Sequence, residues 1–377
     1  MDAWSLDWGR LIARVRGFVA GVPEAFEESL EARGIELLKG RARFVGPKRV
    51  QVDGQAIEAG KIVIATGSKP RPLPIPGAEH MITSDDILEL AELPDSLIFI
   101  GGGVIALEFS HVFARADCKV TILEALPRLL PRLDVDAVAQ VHGECERIGI
   151  DVLTGVTVET IARQGDGLEV RFQHQGETRS LIAGQVANGT GRIPDIEDLD
   201  LAAGEIEHDG LRIQVDEHLR SRSNPDVYVA GDALWSSAQL SALATHEGRI
   251  IGENILNGDT RTPDYIHIPS AVFTVPALAS VGLSEAEARE KGLSFAAKAN
   301  DMCDWRSSRT YAESVAYSKV LIEDGSEKIL GAHMVGHGSE EVIHLFAFAM
   351  KHGITAGQLA ETVYAYPTFS SDLKSML

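Results

Sequence analysis

Between Ser96 and Phe109 the chain reads SLIFIGGGVIALEF, an apolar strand that passes through three glycines into a helical pattern. That order opens a βαβ unit. Gly101 allows the tight turn, and Gly103 lets backbone come close to a pyrophosphate. Ala106 is small enough for the helix to pack on its strand, and the helix N-terminus faces the phosphates. G-x-G-x-x-A alone is a weak signal, but here a strand precedes it and a helix follows. The next strand, from Lys119, ends at Glu124, about twenty residues on, where a carboxylate accepts ribose hydroxyls and repels a 2′-phosphate. NAD(H) is therefore expected over NADP(H), with Arg128 and Arg132 keeping NADPH open.

The segments around this unit set the organisation. Leu6 to Gly34 has helical periodicity, and β-like runs follow at IELLKGRARFVG, RVQVDG and KIVIATG. KPRPLPIPG is a linker, because alternate prolines forbid helix and interior strand. Beyond Glu124 the pattern predicts a helix over 135–148, a strand over 151–153 and hairpin strands over 168–174 and 177–183. A strand over 227–230 and a helix over 240–256 follow. After NGDTRTPDYIHIP the pattern becomes α+β: strands over 271–274, 314–323 and 329–335, helices over 284–291, 339–352 and 356–362. A domain boundary is expected near Thr262. There is no internal repeat or low-complexity tract.

The 377 residues carry 35 Lys and Arg against 55 Asp and Glu, a formal charge of −20. Such a field repels nucleic-acid backbones and anionic membranes, so neither is an expected partner. The N-terminus lacks a signal-peptide core, and the most apolar runs, near Ile98 to Phe109 and Val342 to Met350, are too short to span a bilayer. Cys118, Cys145 and Cys303 stand far apart and are expected to be free thiols in a reducing, cytoplasmic setting. His333, His337 and His344 do not form an i, i+4 helical metal pair, so no metal site is expected. No G-x-S-x-G motif points to a hydrolase.

Two further Thr-Gly exits match one another: IVIATGS (Ile62 to Ser68) and QVANGTGRIPD (Gln185 to Asp195). A third apolar strand ends in Gly231-Asp232, an acid at a strand C-terminus suited to a polyol hydroxyl. The order ATG, GGGxxxxE, TGRxPD, GD resembles the class I pyridine nucleotide-disulfide oxidoreductases, the flavoprotein family of dihydrolipoamide dehydrogenase, glutathione reductase and mercuric reductase. The likeness runs from about Leu6 to the end, through LPIPG, VFTVPALASVGLSEAEA and KILGAHMVGHGSEEVIHLFAFAMKHG to YAYPTFSSD.

The resemblance implies an α/β chain with Rossmann-like three-layer FAD- and NAD(P)-binding domains and a C-terminal α+β dimerisation domain. Residues 1–80 would be the first, remnant part of the FAD domain and 81–195 the NAD(P) domain. Residues 196–262 would complete the FAD domain and 263–377 would form the dimer. It implies FAD contacts at Thr66, Gly67, Ser68 and Asp232, and weaker ones at Gly40 and at Gln239, Leu240, Ser241 and Ala242. The nicotinamide nucleotide would meet Gly101, Gly102, Gly103, Val104, Ile105, Glu108, Glu124, Val158 and Gly191. Val104 stands where some relatives place a gating Tyr. Glu108 matches a family Glu that pairs with a Lys following the redox cysteines. The implied activity passes hydride from nicotinamide to flavin and electrons onward to a small-molecule or soft-metal acceptor, in a homodimer.

Two departures keep other readings open. The sequence holds neither the family's first G-x-G-x-x-G nor its redox C-x4-C. The family's C-terminal His-Pro-Thr-x-Ser-Glu reads Tyr366-Pro367-Thr368-Phe369-Ser370-Ser371, with Asp372 next. A Tyr titrates too high to exchange protons with thiols at neutral pH. Tyr366 is thus a catalytic candidate only as a hydrogen-bond donor or weak metal ligand, or else an aromatic in interface packing. The alternatives are a chain whose N-terminus is missing, or a non-catalytic NAD-binding dimeric sensor or scaffold.

Overall fold

The computed structural model describes residues 6–235 and 238–377. They divide into two compact units: one of residues up to Ile12, 73–190 and 265–377, the other of residues 13–72 and 191–264.

The first unit is built on a parallel four-stranded sheet in the order Gln185–Asn188, Ser96–Ile100, Lys119–Glu124, Asp151–Thr154. Leu97, Ile98, Phe99 and Ile100 are all buried, so the central strand is apolar throughout instead of alternating. Helices Val104–Arg115 and Val135–Arg147 pack on it through Leu107, Phe113, Val138 and Val141. An antiparallel sheet of Thr157–Gln164, Gly167–His174 and Glu177–Ala183 joins it, with Phe172 opposite Arg179 in the expected hairpin. Trp8 tilts against Phe113 with ring centres 5.0 Å apart and donates its indole N–H to Leu90 O at 2.9 Å.

The C-terminal part of this unit is a five-stranded antiparallel sheet in the order 270–272, 277–282, 329–336, 317–323, 295–301. Helix Ser339–His352 buries Val342, Ile343, Phe346 and Met350 against it. Gly338 and Gly353 bound that helix in left-handed conformation, with acids in its first turn and bases in its last. Val272, Leu278, Tyr317 and Val335 belong to the same apolar cluster as Leu97 and Phe113, so the two sheets share one core.

The second unit holds three small sheets: antiparallel Ala42–Gly46, Arg49–Val52 and Gln55–Glu58, parallel Ile62–Ile64 with Val227–Val229, and antiparallel Ser68–Pro70 with Arg192–Pro194. Phe44, Ile64, Val227, Val229 and Ile251 form its core.

Three expectations need correction. The helical run over 6–34 is two helices, Trp8–Val19 and Val22–Glu31, separated at Gly21 (φ 77°), with a proline in the first turn of the second. Of IELLKGRARFVG only Ala42–Gly46 is strand. Phe295–Asp301, unanticipated, pairs at the sheet edge; its largely exposed FAAKAND shows no apolar alternation to announce it.

Candidate functional site

Gly101 sits at φ 99°, and its amide donates to Leu123 O at 2.8 Å. A Cβ there would lie 2.3 Å from Gly189 O, so two backbone stretches meet where no side chain fits. Gly103 is extended and caps helix Val104–Arg115 without a side-chain hydrogen bond, leaving that helix's first-turn amides for a ligand. A Cβ on Gly103 would meet only Gly189 O, at 3.5 Å, so open space lies over it. Ala106 is fully buried against the strand and Val104 is exposed, while Ile105 is half-buried.

Glu124 closes the turn. It is buried, and its Oε2 accepts the Gly102 N–H at 2.5 Å while Oε1 accepts the Leu126 N–H at 2.6 Å. Each oxygen keeps a second lone pair, so the carboxylate both braces the turn and remains an acceptor. Arg128 folds back onto main-chain carbonyls, reaching Leu130 O at 3.3 Å and Leu133 O at 3.1 Å and also bonding Pro131 O. A glycine cradle, uncapped amides and a carboxylate beside them fit a dinucleotide. Val158 lies in the neighbouring antiparallel sheet, facing Phe172.

In the second unit, strands Ile62–Ile64 and Val227–Val229 run parallel and end side by side, one in Thr66-Gly67-Ser68 and the other in Gly231-Asp232. Ser68 Oγ donates to Asp232 Oδ2 at 2.9 Å. Arg192 holds Ser68 from the other side, Nε to Oγ at 2.9 Å and a terminal nitrogen to its carbonyl at 2.6 Å. Gly231 (φ 63°) donates its amide to the fully buried Glu247 at 2.7 Å. Thr66, Gln239, Ser241 and Ala242 are exposed, Leu240 half-buried, and helix Ser241–Asn257 starts there without a side-chain cap. Polar groups and an uncapped helix end on one strand edge fit a polyhydroxylated, phosphorylated ligand. Gly191 (φ 99°) accepts from the Arg71 amide, whereas Gly40 (φ 149°) turns against Asp53 at the head of the antiparallel strands.

Glu108 Oε1 accepts the Phe273 amide at 2.8 Å, and burial raises its pKa. Among the described residues it pairs with no lysine. Tyr366 is exposed, and nearby Phe369 packs by His337, which stacks on Tyr311 and lies 3.4 Å from Glu313. Asp372 accepts the Ser307 hydroxyl, and burial raises its pKa. His333 bonds Ser280 Oγ and Leu283 O. Among the described residues no cluster of three His, Cys, Asp or Glu could hold a metal, and no helix is long and apolar enough to cross a membrane.

Sequence reasoning missed the polar network behind the glycine turn. His111 Nδ1 accepts the Val275 N–H at 3.1 Å and lies 3.1 Å from Arg115, and Nε2 lies 3.3 Å from Cys145 Sγ. Burial, and then the Arg115 charge, push the His111 pKa down to about 4, and burial pushes the Cys145 thiol up to about 12. Both stay neutral near pH 7. Unfolding lets His111 regain its ordinary value of 6.5. The unfolded chain therefore takes up the proton first as pH falls, and stability drains between about 6.5 and about 4. The loss from pH 7 to pH 5 is expected to be about 2 kcal/mol. Urea midpoints should fall accordingly, and His111→Gln should flatten that part of the profile; an unchanged slope would refute the assignment.

A Rossmann-like glycine turn in one unit and a polar strand edge in the other define an α/β protein with two candidate ligand sites. The chain belongs to the pyridine nucleotide-disulphide oxidoreductase family, whose model matches residues 17–248; the family's dimerisation domain matches 268–377. It is 32% identical over 375 residues to a glutathione reductase of Burkholderia cepacia, covering 99% of this chain and 82% of that protein. A mercuric reductase of Bacillus cereus is 31% identical, covering 93% of this chain and 56% of the relative. A dihydrolipoyl dehydrogenase of Chlorobaculum tepidum is 30% identical, with 98% and 80% covered. Among solved structures, the HOCl-induced flavoprotein disulfide reductase RclA from Escherichia coli superposes with a TM-score of 0.90 at 26% identity, covering 98% of this chain and 85% of that one.

Proposed function

We propose that this chain acts in a homodimeric, FAD-dependent NAD(P)H oxidoreductase, with NADH preferred. Nicotinamide nucleotide and flavin together supply hydride transfer and the onward passage of electrons to an acceptor. The carrying observation is the convergence of Thr66–Ser68 and Gly231–Asp232, far apart in sequence, on one edge of two parallel strands, tied by the Ser68–Asp232 hydrogen bond. In this reading Asp232 and Ser68 orient the flavin's polyol and Gln239 to Ala242 meet it with backbone.

At the nucleotide turn, Gly101 to Gly103 and the amides of Val104 and Ile105 hold the pyrophosphate, and Glu124 accepts ribose hydroxyls. Two features support NADH over NADPH: Glu124 presents negative charge, and Arg128 is spent on carbonyls of its own loop. Residues 81–195 would be the nucleotide domain, 1–80 with 196–262 the flavin domain, and 263–377 the dimer-forming part. Tyr366 would donate a hydrogen bond on the acceptor side, and Glu108 would hold Phe273 beside the nucleotide helix.

The visible spectrum of the natively purified chain, before and after NADH under argon, tests the reading. A flavin band bleached by NADH more readily than by NADPH is expected. A colourless protein that binds NADH would overturn it in favour of a nucleotide sensor or scaffold.

A further inference from the structure

A cleft of about 450 Å³ opens in the C-terminal part of the first unit, lined by segments far apart in sequence. One strand of the five-stranded sheet ends there at Gly282, and its neighbour begins there at Ile329. Met350, in the last turn of helix Ser339–His352, and the stretch after Asp264 add the rest of the apolar lining. Ile329 and Met350 are buried, whereas Tyr265 and Ile266 keep much of their apolar surface exposed. Gly282 sits at φ 78°, and a Cβ there would lie 2.4 Å from Leu330 O and 2.5 Å from the Met350 methyl. Bare backbone therefore lines the cleft at that strand end.

Two basic residues stand in that lining: Lys291, just past the helix Glu285–Glu290, and the half-buried His267. Among the described residues no Asp or Glu lines the cleft, although the whole chain carries 55 acids against 35 Lys and Arg. Nor do the Lys291 ammonium and the His267 imidazole have an ion pair or hydrogen bond among the described residues. An apolar hollow of this size with a few polar groups suits a small organic ligand. The walls hold an apolar body by removing it from water, and the ammonium attracts an anionic head. A single ammonium on a flexible stem matches one negative charge, so a carboxylate fits better than a phosphate dianion. The His267 ring adds an N–H donor beside it.

We propose that this cleft binds a small carboxylic acid with an apolar chain, the carboxylate on Lys291 and His267 and the chain against Ile266 and Met350. The site uses no residue of the glycine turn or of the polar strand edge, so it stands apart from the flavin reading.

Calorimetric titration of the full chain with octanoate, at neutral pH and constant ionic strength, tests the site, with octylamine and octyl phosphate as comparisons. Saturable octanoate binding is expected, about tenfold or more tighter than that of octylamine. Lys291→Gln, at an exposed side chain, should weaken it about fivefold. Ile266→Asp sets a charge on the apolar wall and should weaken it about tenfold or more. Far-UV circular dichroism confirms that both variants keep the fold. Octyl phosphate binding more tightly than octanoate overturns the carboxylate assignment. No saturable heat with octanoate, or identical titrations in Lys291→Gln and the parent chain, overturns the site. A lower mass by light scattering in Ile266→Asp would give the cleft to a second copy of the chain and overturn it too. A colourless chain that still titrates with octanoate removes the flavin reading and leaves this one standing.

Discussion

Replacing Lys319 with methionine should cost about 3–5 kcal/mol of folding stability at pH 7. Lys319 and Asp134 are both about 1% exposed, and the ammonium reaches Asp134 at 3.0 Å and Glu285 at 2.9 Å, and also Asp136. Asp134 in addition caps helix Val135–Arg147, accepting from the Asp136 and Ala137 amides. Burial works to lower the Lys319 pKa, but hydrogen bonds to Asp136, Glu285 and Asp134 outweigh it and hold the ammonium above its ordinary value. For Asp134, burial works to raise the pKa, and His333 with Lys319 outweighs it and keeps the carboxyl below its usual range. A depressed carboxyl lends stability above its unfolded pKa and loses it as pH falls through the folded one. In Lys319→Met the buried Asp134 keeps its desolvation but loses the ammonium that held its pKa down, so it can shed the stranded charge by taking up a proton, and the penalty should be smaller at pH 4 than at pH 7. Adding Asp134→Asn, which keeps the cap and removes the stranded charge, should restore part of the loss. Urea unfolding gives the numbers, and a single-variant loss under about 1 kcal/mol would show that the pair is not a keystone.

Alanine at Gly101 and at Gly103 should separate folding from nucleotide binding. At Gly101 the methyl meets Gly189 O at 2.3 Å with φ at 99°, and the obstacle is backbone. Left-handed strain and overpacking together should cost on the order of 3 kcal/mol, and NADH binding should go with the fold of the turn. At Gly103 the backbone is extended and the nearest atom is 3.5 Å away, so Gly103→Ala should stay within about 0.5 kcal/mol of the parent. Its methyl nevertheless occupies the side from which a pyrophosphate approaches. NADH should bind it about tenfold or more weakly by calorimetry. Parent-like affinity in Gly103→Ala would mean the nucleotide lies elsewhere.

The nucleotide turn was legible because each of its parts is local. The apolar run Leu97 to Ile100, the three glycines and the helix from Val104 are contiguous, and Glu124 lies one βαβ step on. The same holds for the hairpin of residues 168–183 and the helix Ser339–His352, where periodicity and glycine punctuation act within one element. The edge strand Phe295–Asp301 was not legible, since an exposed strand carries no apolar alternation and is held only by its neighbour. Nor was the Gly21 break, where one amphipathic helix follows another with only two residues between them.

The charged and polar seams show the same division. Thr-Gly-Arg and Gly-Asp could be picked out as strand exits, but their joining through Ser68, Asp232 and Arg192 depends on the pairing of strands remote in sequence. Nothing near Lys319 in the chain announces Asp134, 185 positions away, or marks His111 as a neutral imidazole against Cys145. Sequence by itself determined the family pattern, the glycine turn and the apolar faces of the main helices, because these rest on local backbone geometry and periodicity. Tertiary structure alone decided that the C-terminal sheet shares a core with the nucleotide sheet, which buried charges stand together, and which distant segments line the cleft beside Lys291. Long-range contacts carry those facts, and no short stretch of residues encodes them.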